Sequence, residues 1–260
     1  MLRAFHIAFG LVFAIMVAPG SAKADYAAGQ QAYASGNYAE AFRQWQRLAD
    51  RGEADSQRLI GNMLLNGTGV DADIDQAFAY FHMAAAQDDV EALITLANLY
   101  REGGPVDPDY KQAVDMLYRA ADTGHPIAQF DLAEIFFSGE GGVQQAKNHG
   151  MDWYRLSARN GILLAQFKLA QILLEGAVSG KDELTGMMWL ELAVQTIQSG
   201  ISLPISDRVF PPSRRVETDE DQRTLGEIIL ATRADYTKKL PEDLVREARE
   251  MALNYDPAKN

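Results

Sequence analysis

The sequence predicts an all-α protein built as a row of helix–turn–helix units. Near-copies begin at Ala54, Val90, Pro126 and Leu163, so their starts are spaced 36, 36 and 37 residues apart. A fixed period in that range marks a repeat architecture. The fourteenth position of every copy is glycine (Gly67, Gly103, Gly139, Gly176), and it separates two stretches whose apolar residues recur at helical spacing.

The chain opens on a basic residue, Arg3, followed by an apolar run from Ile7 to Ala18 and the small-x-small stretch Ala22-Lys23-Ala24. That pattern predicts a secretory signal peptide over residues 1–24, cut after Ala24, because the run is too short and wrongly flanked to span a bilayer. Removal of Arg3 and Lys23 takes the formal charge from −12 to −14. So acidic a chain would be repelled by phosphate backbones and anionic membrane surfaces, which argues against nucleic acid, and it suits a partner with a basic face; no second apolar run approaches membrane length, so no membrane insertion is expected after cleavage. With no cysteine there is no disulfide framework and no site for lipid attachment, so stability must come from packing.

Residues 25–52 read as an opening unit of shorter period, with Gly29, Gly36, Tyr38, Ala41 and Trp45 at offsets 0, 7, 9, 12 and 16. Gly36-Asn37 supplies its turn, and Gly52 ends the second helix. The pattern resembles the tetratricopeptide unit. Residues 53–198 hold the four longer units. Position 7 is Ile60, Leu96, Leu132 and Leu169, and position 11 is Leu64, Tyr100, Phe136 and Leu173; these lie i, i+4 on one face of the first helix. Position 8 is Gly61, Ala97, Ala133 and Ala170, small enough for a second helix to come close. The second helices carry Tyr80-Phe81, Met116-Leu117, Trp153-Tyr154 and Trp189-Leu190, each followed four residues on by a small pair. The position-14 glycine can take positive φ and reverse the chain. Asp73, Asp109 and Asp182 then stand ready to cap the second helices, whereas the third unit has Ala146 and one extra residue.

These coincidences resemble the Sel1-like repeat across the four units. The resemblance implies a right-handed α-solenoid whose first helices line a concave side, since one helix pair cannot bury its own apolar face. Residues 199–222, with Pro204, Pro211, Pro212 and clustered charges, are predicted as a long loop. Residues 223–260 are predicted as C-terminal capping helices. The first runs from about Asp221 to Lys239 with Leu225, Ile228, Ile229, Ala231 and Thr232 near its inner face. The second is started by Pro241 and striped by Leu244, Ala248, Met251 and Ala252.

Nothing in the sequence suggests catalysis. Nucleophilic cysteine, a phosphate loop and a serine–x–x–lysine motif are all missing. His149 and Asp152 share a face, but two ligands make too small a metal site. No cofactor is expected. The expected functional surface is the concave groove. Position 5 (Arg58, Ile94, Phe130, Phe167), position 9 (Asn62, Asn98, Glu134, Gln171) and position 12 (of which Arg101, Phe137 and Leu174 are taken as candidates) face it if the register of related repeats holds. Polar residues at position 9 can bond an extended backbone, and the aromatics can anchor it. The resemblance implies a non-enzymatic periplasmic scaffold that binds a segment of another envelope protein, with modulation of an envelope signalling protein as the finer expectation. A structural part of an envelope or flagellar assembly, and a cell-wall hydrolase or peptidoglycan-binding module, are the alternatives.

Overall fold

The computed structural model describes residues 19–199 and 219–257, and these are helical, with no strand among them. In chain order the helices are α1 (Pro19–Ala34), α2 (Tyr38–Ala49), α3 (Ala54–Asn66), α4 (Ile74–Ala85), α5 (Val90–Glu102), α6 (Tyr110–Asp122), α7 (Pro126–Ser138), α8 (Lys147–Arg159), α9 (Leu163–Glu175), α10 (Glu183–Gln198), α11 (Asp219–Lys239) and α12 (Glu242–Leu253). The apolar run of the expected leader and the predicted 199–222 loop, but for its two ends, lie outside the described residues.

Helices α3, α5, α7 and α9 open the four longer units and are called A helices; α4, α6, α8 and α10 close them and are called B helices. Helices α4, α6 and α8 each pack on the A helix of their own unit and on that of the next, and the buried apolar residues form two clusters that meet at α7, with Trp153 packed against both. Position 7 is fully buried in all four units. The small residue at position 8 does what its size suggests: a Cβ on Gly61 would lie 2.8 Å from the Phe81 ring, which is itself fully buried. In the third unit the closest approach is made by the B helix instead. A Cβ on Gly150 would lie 2.9 Å from the backbone nitrogen of Phe137 and 3.0 Å from the Ala133 carbonyl, atoms that cannot rotate away.

The turn chemistry is legible bond by bond. Gly67, Gly139 and Gly176 adopt the left-handed conformation at φ 64°, 75° and 73°; Gly103 has φ 78° with an extended ψ. Asp73, Asp109 and Asp182 accept backbone N–H groups in the first turns of α4, α6 and α10. Ala146 makes no cap, and a short 3₁₀ turn, Glu140–Gly142, takes up the extra residue. The closure itself is the same in every unit. The N–H of residue 73, 109, 146 or 182 donates to the carbonyl of Leu64, Tyr100, Phe136 or Leu173, at 2.7–3.0 Å.

Three buried glutamines tie successive units together. Gln57, Gln129 and Gln166, each at position 4, donate through Nε2 to the carbonyl eight residues back (Ala49, Ala121, Ala158) near the end of the preceding helix, at 3.3–3.4 Å. Their Oε1 atoms accept from Gln87, Asn160 and Thr196 respectively, at 2.9–3.0 Å. Each side chain thus satisfies a helix-end carbonyl that would otherwise be stranded in the stack. The second unit has Leu93 here.

At the C-terminal end, α11 and α12 both pack on α10. Two details of the expected faces change. In α11, Ile229 is fully buried, while Ile228 is 49% exposed and Ala231 also faces water. In α12 the buried stripe is Val245, Ala248 and Ala252, with Leu244 half-buried and Met251 exposed. Pro241 occupies the N-cap position rather than the first turn. The join is polar as well as apolar. Glu191 of α10, 5% exposed, receives Arg233 Nε of α11 at 3.0 Å and Arg249 Nε of α12 at 2.9 Å on one carboxylate oxygen.

Candidate functional site

An A helix presents its outward arc through positions 2, 5, 6, 9, 12 and 13. Position 13 (Asn66, Glu102, Ser138, Glu175) is exposed in all four units. Positions 5 and 12 sit at the border of the arc, and there the structure divides the expected groove residues. Ile94, Phe167 and Leu174 are buried, at 1%, 4% and 1% exposure, and belong to the core rather than to a groove lining. Leu174 lies over Gly186 of α10, where a Cβ would come within 2.8 Å of its Cγ. An apolar side chain at the border gains by turning inward where a neighbouring helix leaves room. Asn98 and Arg101 are also buried, at 7% and 8%. Arg58, Asn62, Phe130, Glu134, Phe137 and Gln171 remain half-buried on the surface.

The third unit brings three of these together around a residue that the sequence offers only as half of a bulky second-helix pair. Tyr154 of α8 is 1% exposed, and the rings of Phe130 and Phe137 meet it edge-on with centroids 5.8 Å away in each case. Its hydroxyl donates to Glu134, whose carboxylate also lies 3.8 Å from Lys168 Nζ. Burial first, and then the neighbouring Glu134 charge, push the Tyr154 phenol far above its ordinary range, so it stays a donor. Lys147 Nζ stands over the Phe137 ring, 5.6 Å from its centroid. Two aromatic rings and a carboxylate are therefore fixed on adjoining turns of α7 by a buried phenol behind them.

The arginines expected in the groove are already engaged. Arg58 Nε bonds Asp89 at 3.1 Å and its Nη2 bonds Asp55 at 3.1 Å. Burial works against that charge, but the pull of Asp89 and Asp55 outweighs it and raises the guanidinium above its ordinary value. Arg101 Nη2 bonds Glu140 at 3.1 Å, its Nη1 lies 3.9 Å from Asp131, and Tyr110 donates to Glu140 at 2.9 Å. This network crosses from α5 to α7 and the turn after it, so it holds the second and third units in register.

Each of the described histidines has a local role. Tyr100 and His82 share a hydrogen bond of 3.0 Å, and burial lowers the His82 pKa. His125 Nδ1 accepts from Ala128 N at 3.5 Å as the cap of α7. His149 accepts from Trp153 Nε1 at 3.2 Å and stacks 4.6 Å from Phe136. Among the described residues no group of three or more His, Asp or Glu is placed to hold a metal ion, and no helix is long and apolar enough to cross a membrane.

Comparison with known proteins follows the same register. Residues 54–89, 90–125, 126–162 and 163–195 each match the Sel1 repeat. Among solved structures, a Sel1 repeat protein from Oxalobacter formigenes is similar over 65% of this chain and 70% of that one, at 22% identity and a TM-score of 0.61. c5321, a protective antigen of uropathogenic Escherichia coli strains displaying an SLR fold, is similar over 90% of this chain, at 20% identity and a TM-score of 0.52. The match spans 60% of that antigen's own length. No curated protein sequence matches. These structural likenesses speak to fold, while the four consecutive repeat matches cover more than half of the chain: it belongs to the Sel1 repeat family.

Proposed function

We propose that this protein is a non-enzymatic scaffold that binds a segment of another protein along its A-helix face, centred on α7. Sel1 repeats generally mediate protein–protein contact. The observation that carries the reading here is the pair of half-buried rings, Phe130 and Phe137, held against buried Tyr154 on either side of Glu134. Rigid aromatic anchors beside hydrogen-bonding groups are what a bound segment needs. The predicted leader, Arg3 followed by the Ile7–Ala18 run, supports a periplasmic setting for this role, with a partner in the cell envelope such as a signalling protein.

Affinity capture of partners from envelope extracts tests it. Phe130→Asp and Phe137→Asp are expected to abolish capture, and Leu156→Asp, on the exposed side of α8, to leave it unchanged. Circular dichroism confirms that each variant stays folded. Capture that survives both phenylalanine substitutions, in folded protein, refutes the reading. Stoichiometric recovery of a whole envelope assembly would instead identify a structural part of that machine.

A further inference from the structure

We propose that the stack has one joint held by exposed charge, between α4 and α5, and that this joint loosens as ionic strength rises while its neighbours hold. The inference is independent of what the A-helix face binds. It starts from the four turns that lead into an A helix. In each, the N–H of the turn residue (Gly52, Asp88, Gly124 or Gly161) donates to the carbonyl of Ala49, Ala85, Ala121 or Ala158, at 2.9–3.1 Å. In three of them a buried glutamine at position 4 donates to the same carbonyl. The turn residue of those three is glycine, at φ 87–90°.

The turn before α5 departs from this pattern at three residues at once. Position 4 is Leu93, fully buried and unable to donate. The turn residue is Asp88 at φ 60°, the one non-glycine with positive φ among the described residues. Arg119, reaching over from α6, takes the place of the glutamine. Its Nη2 donates to the Ala85 carbonyl at 2.5 Å and to Asp88 Oδ1 at 2.6 Å. The left-handed region costs an aspartate more than a glycine, but a glycine could not hold the guanidinium over the carbonyl. A single ionic clamp thus accounts for all three departures.

The clamp works in a different medium from the glutamines. Those are neutral and buried, out of reach of dissolved ions. The Arg119 and Asp88 side chains are 36% and 77% exposed, and a pair so open to water is weakened by salt. Leu93 adds apolar contact, which draws helices together without fixing the angle between them. Other polar contacts cross this joint as well, among them Arg58 with Asp89 at 3.1 Å and Tyr100 with His82 at 3.0 Å. The first is mostly buried and the second is not an ion pair, so they remain as pins about which the joint turns once the outer clamp lets go. The later joints have ionic contacts too: Arg101 with Glu140 and Asp131, His125 with Glu91, and Lys168 with Glu134. There the contact is added to a buried glutamine; before α5 it replaces one.

The chain contains no cysteine, so cysteine pairs can be introduced for spin labels. Ala79, Asp115 and Asp152 are exposed and occupy one position of successive B helices, α4, α6 and α8. Labels at Ala79 and Asp115 span the ionic joint; labels at Asp115 and Asp152 span the next, which Gln129 holds. Electron paramagnetic resonance reads both distance distributions as salt rises from about 0.01 M to about 1 M, over which the screening length falls from roughly 30 Å to roughly 3 Å. The first distribution is expected to widen at least about twofold, while the second keeps its width. Arg119→Met is expected to give the wide first distribution at every salt concentration, with helicity by circular dichroism unchanged. Equal widening of both pairs overturns the proposal, since screening would then act on the whole stack. A first distribution that stays narrow at high salt in the parent chain overturns it too, whatever the variant does. So does a folded Arg119→Met as narrow as the parent at low salt, because the clamp would then hold nothing.

Discussion

Replacing Glu191 by glutamine should loosen the end of the stack without touching its middle. One buried carboxylate oxygen receives an arginine from each of the two terminal helices, at 3.0 Å and 2.9 Å. Glutamine keeps the size of the side chain and one acceptor oxygen but removes the charge. A hydrogen bond to a charged group is worth about 1.5–3 kcal/mol, against roughly 1 kcal/mol for a neutral one. Two such bonds would put the loss near 1–4 kcal/mol. The side chains of Arg233 and Arg249 are 32% and 43% exposed, so both guanidinium groups recover water when released, which favours the lower half, about 1–2.5 kcal/mol. Because stability in a stack is a sum of unit and neighbour-interface contributions, that loss should appear where the contacts are. Amide hydrogen exchange should therefore speed up in α11 and α12 together, by roughly 5- to 70-fold, while α3 to α8 keep their protection. Unchanged exchange in α11 and α12 would show that the shared carboxylate contributes nothing to their docking. A uniform acceleration across all helices would show that the stack unfolds as one cooperative body.

Other expectations follow from single contacts. Gly150→Ala forces a methyl group against the backbone of α7 and should destabilise the protein by about 1–3 kcal/mol in a denaturant titration, whereas the same exchange at exposed, turn-forming positions would act through backbone strain alone. Gln166→Leu leaves the Ala158 carbonyl and the Thr196 hydroxyl without this partner and should cost about 1–3 kcal/mol. His82 has a folded pKa lowered by burial, so the unfolded chain binds its proton more readily. Its contribution is complete above the unfolded value of about 6.5 and is lost as the pH falls from there through the folded pKa. The difference in unfolding free energy between pH 7.5 and pH 5, about neutrality and acid respectively, should shrink in His82→Gln.

The parts of the molecule that were legible in the sequence are those governed by short-range chemistry. A glycine that must take positive φ and an aspartate that caps the next helix act within a few residues, and both recur with the unit, so Gly67, Gly139 and Gly176 and Asp73, Asp109 and Asp182 read directly. The glutamine column was also present, as Gln57, Gln129 and Gln166 at one position, but its meaning depends on where the preceding helix ends in space. The Glu191 junction could not be read, because its partners stand 42 and 58 residues further on. The face of α12 was misjudged for a related reason. Of the expected stripe Leu244, Ala248, Met251 and Ala252, the two alanines are buried, but Val245 takes the place of Leu244 and Met251, because in a short helix neighbouring stripes have similar apolarity and the surface of α10 decides between them. The groove fell between these cases. Along the expected lining Ile94, Phe167 and Leu174 turn inward and Asn98 and Arg101 are buried, while Phe130 and Phe137 stay at the surface on Tyr154.

Site-specific photocrosslinking in cells tests the central claim most directly. A photoreactive side chain placed at Asn62, Ser138 or Gln171 reports on the A-helix face, and one at Asp115 or Asp152 reports on exposed B-helix positions. The account predicts that one partner is crosslinked from the first three positions and not from the last two. Crosslinks to that partner from Asp115 and Asp152, with none from Asn62, Ser138 or Gln171, would contradict it.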